Sequence, residues 1–237
     1  MKKNQVIAIC LLMLGLLPMQ AFATVACDGV DDVLTFSGVT LGSTFTIAGW
    51  IVPTPAPTFG SILVNANTNQ GLWYTAFSDL TLLFATSAGS VFMSTPLTSN
   101  VWNHIALVST SGTAQFYLNG VTSPTNGSIA AGFLANRVCN DDPGEVLTGR
   151  IGALQIYPAA LNANEIATLA ANRTHGLGIS QARSVAWTLD QCADGANGNG
   201  TAFADRSGNG QALTADDGPN NTGMTCSGEF NYVWGAY

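Results

Sequence analysis

The chain of 237 residues carries 14 Asp and Glu against 7 Lys and Arg, a formal net charge of −7. Both lysines, Lys2 and Lys3, sit at the very start, so the chain after residue 23 holds five Arg against fourteen acids, 5 − 14 = −9. That balance excludes the basic footprint that phosphate binding needs, and with it nucleic acid as a partner. The polar surface must consist largely of Thr, Ser, Asn and Gly, which suits hydrogen-bonded contact with sugars or with other copies of the chain.

In chain order, Lys2 and Lys3 precede an apolar stretch from Val6 to Leu17 and the small-x-small pattern Ala21-Phe22-Ala23, which predicts a signal peptide over 1–23. No later segment is a continuous apolar run long enough to span a bilayer, so a mature chain without a transmembrane segment is expected, secreted, periplasmic or at the cell surface. Loss of the leader removes Cys10 and leaves Cys27, Cys139, Cys192 and Cys226, an even set that predicts two disulfides with three pairings open. The competing reading, Cys27 as a lipidated residue, fits less well: Thr24 stands where such signals prefer Leu, and lipidation would strand an odd thiol.

Short β-branched and aromatic runs follow, separated by Gly, Pro, Asn and Ser. They are Phe45 to Val52, Leu80 to Thr86, Ser90 to Ser94, Trp102 to Ser109 and Thr113 to Asn119. In the last, Ala114, Phe116 and Leu118 alternate with Gln115, Tyr117 and Asn119, so one face goes to a core. Asn119-Gly120 predicts a two-residue hairpin turn. One helix is expected from Asn162 as N-cap, with Glu165 completing a capping box and Leu161 and Ile166 forming a staple, running to about Arg173 and stopping near Gly176. Val185 to Leu189 reads as a further strand inside a Gly- and Asn-rich stretch. The reading is a domain over 24–178, with 179–237 either completing the sandwich as a C-terminal segment, which its short length favours, or beginning a truncated second module.

Several segments together resemble the bacterial laminin-G-like (concanavalin A-like lectin/glucanase) jelly-roll family. Asp28-Gly29-Val30-Asp31-Asp32 is similar to its "DGVDDYV", and Phe45 to Ile51 to "FTISAWV". Trp102 to Val108 with Phe116 to Gly120 resembles "WHHVALV…LYVNG", and Gly149-Arg150-Ile151 through Ile156-Tyr157 to Glu165-Ile166 resembles "GRIDEVRIYNRALSAAEI". The resemblance covers roughly 28 to 173. It implies an all-β fold, an antiparallel concanavalin A-like jelly-roll β-sandwich with one short helix after the last long strand. Two departures stand out. Ile151-Gly152-Ala153 replaces Ile-Asp-Glu, removing a carboxylate that the resemblance would assign to a structural calcium. The "YWPLDEGSG…DSSGNG" segment, matched by Ala186 to Asp190 and Asp205 to Gly210, follows the helix instead of opening the domain.

Calcium is the one cofactor the oxygen ligands suit, at Asp28, Asp31 and Asp32 or in the loop of Asp141 and Asp142, although turn chemistry accounts for both clusters without an ion. For a sugar, Trp73 or Tyr74 would supply the stacking ring, because alternation puts them on opposite faces and leaves one free to be exposed, with Asn67 and Asn69 as hydrogen-bonding partners. Trp50, Trp102 and Trp187 are expected in the core. The three Glu residues, Glu145, Glu165 and Glu229, form no Glu-x-Asp-x-Glu strand pattern of the kind that glucanases of this fold resemble, and His104 and His175 lack a nucleophile or metal-ligand spacing beside them. No catalytic residue is therefore expected. The sequence leads to a non-catalytic carbohydrate-recognition or adhesion module whose partner is a glycan or a cell-surface protein. The alternatives are a self-associating structural subunit of a surface coat or appendage and, less favoured, a glycan-processing enzyme.

Overall fold

The computed structural model describes residues 22–55, 59–66, 68–75, 79–129, 132–140, 145–171, 179–189, 191–193, 195–218 and 223–230. Among them seventeen strands form two antiparallel sheets packed as a sandwich, with one short helix, as a jelly roll requires. The first sheet runs β10 (Val121–Thr122), β9 (Thr113–Leu118), β8 (Asn103–Thr110), β3 (Phe45–Pro53), β13 (Thr148–Tyr157), β1 (Phe22–Asp28) and β17 (Thr225–Phe230), with β14 (Val185–Trp187) also on β13. The second runs β11 (Thr125–Gly127), β7 (Gly89–Met93), β6 (Leu82–Thr86), β5 (Gln70–Tyr74), β4 (Gly60–Asn65), β12 (Leu134–Val138), β2 (Val33–Thr40), β16 (Leu213–Asp216) and β15 (Ala202–Phe203).

Period-two alternation sends one side chain in two to the space between the sheets. Ile47 and Ile51 of β3, Ile105 and Leu107 of β8, Ala114 and Phe116 of β9 meet Leu72 and Tyr74 of β5, Phe84 of β6 and Val91 and Met93 of β7 in one continuous core. Each large side chain fully buried there contributes about 1.5–3 kcal/mol. The first sheet is covered on its other face as well. Ala48, Ala106, Val108, Tyr117 and Tyr157 lie under α1 (Ala163–Ala171), which presents Ile166 and Leu169 to them. Two-sided burial explains why β8 reads as a nearly continuous apolar run.

The helix begins where its capping box predicts. Asn162 Oδ1 accepts from the amides of Asn164 and Glu165, both at 3.0 Å, and Glu165 Oε2 accepts from the Asn162 amide at 2.8 Å. Its expected end, at Arg173 to Gly176, lies outside the described residues. The Asn119-Gly120 turn has φ of 51° and 82°, the paired positive values that a type I′ hairpin demands. Gly120 also passes under α1 so closely that a methyl there would press on Ala167 and Ala170.

Strand β13 carries the irregularity that organises the C-terminal segment. Ile151 and Leu154 both face the core although three residues apart, which a bulge between Gly152 and Gln155 permits, with Ala153 at φ 48°. Below the bulge β13 pairs with β1; above it the same edge pairs with β14. Beyond them β16 extends the second sheet from β2, and β17 extends the first from β1. The segment after residue 179 thus contributes strands to both sheets. Trp187 anchors it, fully buried, edge-on to Phe36 at 4.7 Å and donating its indole N–H to the Gln211 carbonyl.

Asp205, first residue of the Asp-Arg-Ser-Gly-Asn-Gly motif, ties the following loop to β14. Oδ1 accepts from the amides of Ala186 (3.0 Å) and Ser207 (2.9 Å), while Oδ2 accepts from the Ser207 hydroxyl (2.7 Å) and the Gln211 amide (3.1 Å). Burial alone would raise this carboxyl, but those donors outweigh it and hold Asp205 below the usual carboxylate range. Asp205→Ala leaves the donors without an acceptor and should destabilise the protein by about 2 kcal/mol, read by urea titration. A loss below about 0.5 kcal/mol would show that water replaces the carboxylate without cost.

Two disulfides form, Cys27–Cys139 and Cys192–Cys226. The first joins β1 to the connection between β12 and β13, and the second joins the C-terminal segment to its own last strand. Among the described residues no helix is long and apolar enough to cross a membrane.

Candidate functional site

The outward face of the second sheet is the candidate ligand surface, and strand register builds it. Ser61 of β4, Trp73 of β5, Leu83 of β6 and Phe92 of β7 are successive cross-strand partners, so their side chains form one row. Their strand neighbours Leu72, Tyr74, Leu82, Phe84, Val91 and Met93 point the other way, into the core. Phe92, at one end, stands 44% exposed, whereas Trp73 is 4% exposed and Ser61, at the other end, is fully buried. Ser94 beside Phe92 is exposed, and Ser90 and Ala85 are half-buried. Thr75 and Thr81 close the surface on one side, their hydroxyls 3.0 Å apart. The named side chains carry no charge.

Tyr74 does not serve as a stacking ring. It is fully buried, its hydroxyl 2.9 Å from the Thr148 carbonyl and 3.1 Å from the Thr54 carbonyl, and burial pushes the phenol up to about 12. Trp73 is on the outward face but is buried, and its indole N–H has no partner among the described residues. Neither member of the pair is thus exposed. Alternation assigns a residue to a face; it does not say what packs over that face. Asn69 is exposed in the β4–β5 turn at φ 50°, and Asn67 lies outside the described residues. Among the described residues the exposed ring of this face is instead Phe92, flanked in sequence by the inward Val91 and Met93. That alternation was the signal available for it.

The second cluster is acidic. Ligand oxygens of Asp28, Asp31 and Asp32 all lie within 4.8 Å of one another. The turn is wound by its own carboxylates: Asp28 Oδ1 accepts from the Val30 amide (2.7 Å), and Asp32 Oδ2 accepts from the Asp28 amide (2.6 Å). Asp28 and Asp31 lie against Gly223 and Gly218, which flank the connection from β16 to β17. Asp217 of that connection faces Asp32, and both are fully buried. Burial, with Asp217 opposite, pushes the Asp32 carboxyl up to about 8. Burial acts on Asp217 in the same sense, but the amides of Met224 (2.7 Å) and Gly223 (2.9 Å), Asp32 and the Asn197 side chain reverse it and hold Asp217 low. Asp217 had no local signal, being 185 positions from Asp32. The loop of Asp141 and Asp142 lies outside the described residues.

His104 is buried against Trp50, ring centroids 5.2 Å apart, with Nδ1 unpartnered, and its imidazole is held down to about 3 by burial. His175 lies outside the described residues. Trp50, with Ala153 and the half-buried Trp102, packs on the outer face of the first sheet, so of the three expected core tryptophans only Trp187 sits between the sheets. Glu165 is engaged in the helix cap, and the Glu145 carbonyl accepts from the Ser61 hydroxyl.

A profile of the concanavalin A-like lectin/glucanases superfamily matches residues 28–167. The chain belongs to that superfamily. No curated protein matches it. Among solved structures, the superfamily member described here is similar to a Bacteroides ovatus protein provisionally assigned to carbohydrate binding, with TM-score 0.62 and 17% identity, covering 86% of this chain and 59% of that one. It thus spans 59% of that protein's length. It is also similar to a heptameric SAP-like pentraxin from Limulus polyphemus, TM-score 0.49, 21% identity, covering 65% of this chain and 84% of that one. A third similarity is to domain 4 of an extracellular arabinanase from Geobacillus stearothermophilus in complex with arabinotriose, TM-score 0.44, 17% identity, covering 62% of this chain and 87% of that one.

Proposed function

We propose that the protein is an exported, non-catalytic carbohydrate-binding module whose ligand lies across the outward face of the second sheet. The observation that carries this reading is Phe92, an exposed ring on a strand of a lectin-like sandwich, set among Ser90, Ser94, Thr75 and Thr81. An aromatic face offers apolar contact to the C–H side of a pyranose, and uncharged hydroxyls exchange hydrogen bonds with sugar hydroxyls at little desolvation cost. The two disulfides and the absence of a membrane-spanning helix among the described residues agree with an extracellular setting.

A glycan array followed by calorimetry on the best hit tests the reading. Phe92→Ala should weaken binding by about tenfold or more while leaving stability within about 0.5 kcal/mol, because the ring is half in solvent. Undiminished binding by that variant would move the site elsewhere. Failure to bind any glycan, together with concentration-dependent assembly in size-exclusion chromatography, would replace the module with a structural subunit. Glycan hydrolysis lost on replacing a single acid would make the protein an enzyme.

A further inference from the structure

We infer that the C-terminal segment, residues 179–230, exchanges between two copies of the chain, the segment of each completing the sandwich of the other in a closed two-fold dimer. Three observations carry it. The disulfides divide the chain: Cys27–Cys139 lies wholly before the segment and Cys192–Cys226 wholly within it, so only the backbone of residues 172–178 ties the two parts covalently. Every strand of the segment is also added at a margin. β17 ends the first sheet on β1, β16 and β15 end the second on β2, and β14 takes the stretch of β13 that β1 leaves open. Without the segment the order of the remaining strands is unchanged, and the superfamily profile stops before it, at residue 167. Lastly, the segment must be docked on a core, because Val185, Trp187, Leu189, Phe203, Leu213 and Met224 are fully buried between the sheets. In the structure it docks on its own chain, and a second copy offers it the same contacts. The choice between the two is then set by chain concentration against the effective concentration that the link imposes, about millimolar for a short link. Such a dimer carries two Phe92 faces, but the inference does not rest on the carbohydrate reading.

The test begins with the chain after residue 23, unfolded in urea with its disulfides intact. Refolded at about 1 mM it should give dimer and monomer in comparable amounts, and at about 10 µM roughly a hundredfold less dimer. The isolated dimer should survive dilution and revert only as fast as the monomer unfolds, since the segments part only when the sandwich opens. Thr35 and Thr214, exposed cross-strand partners on β2 and β16, then report the exchange. Thr35→Cys refolded together with Thr214→Cys and treated with a short bis-maleimide should show a cross-link between chains; a chain with both substitutions, refolded dilute, should show it within one chain. Absence of dimer at about 1 mM overturns the inference. So does a dimer that dissociates on dilution much faster than the monomer unfolds, or one without the cross-link between positions 35 and 214, because the copies then meet through another surface. Should either cysteine variant fail to fold, the dilution experiment on the wild-type chain decides alone.

Discussion

Replacing Cys27 and Cys139 together by alanine should cost about 5 kcal/mol of stability, a large share of the roughly 5–15 kcal/mol that holds a domain folded. The bond closes a loop with a sequence separation of 112, so in the unfolded chain it removes more conformational freedom than Cys192–Cys226, with a separation of 34 and an expected effect of about 4 kcal/mol. Both Cys27 and Cys139 are buried, at 3% and 0% exposure, whereas Cys192 is half-buried. Mild reductant should therefore open Cys192–Cys226 first. Urea titrations of the two double variants, with mass-spectrometric thiol counts during reduction, check both points. A loss under about 1 kcal/mol for the first pair, or its earlier reduction, would show that packing alone holds β1 in place.

Acid should weaken the protein through His104. Burial lowers its folded-state value to about 3, against about 6.5 in an unfolded chain, so below pH 6.5 the unfolded state takes up a proton that the folded state refuses. The stabilising term is complete above pH 6.5 and is lost as pH falls toward 3, reaching about 3 kcal/mol by pH 4. His104→Gln, which cannot take up the proton, should be less stable than wild type at pH 7, yet the gap should close or reverse by pH 4. Carboxylates such as Asp205 titrate in both proteins and cancel in the comparison. Parallel stability profiles between pH 4 and 7 would mean that the imidazole charges without unfolding its surroundings.

The named elements divide by the range of the forces that make them. The Asn119-Gly120 hairpin, the Asn162–Glu165 cap and the alternation of β7 and β9 arise from interactions within a few residues, and each was legible from the chain alone. So was the superfamily, because its strands carry their patterns locally. The even cysteine count predicted two disulfides but could not choose partners, since Cys27 meets Cys139 only after β1 and β13 pair. Trp73 and Tyr74 show the same limit for the candidate ligand surface: period two separated their faces, and only the packed sheet decided that both would be covered and Phe92 exposed. Asp217 reaches Asp32 because β16 pairs with β2 and β17 with β1, contacts far longer in sequence than any local pattern spans. The sequence by itself thus determined six of the strands, the turn, the helix start and the jelly roll, whose signals are local. Which side chains meet water, which cysteines pair and which carboxylates converge depended on how distant strands close the two sheets, and only the tertiary structure decided them.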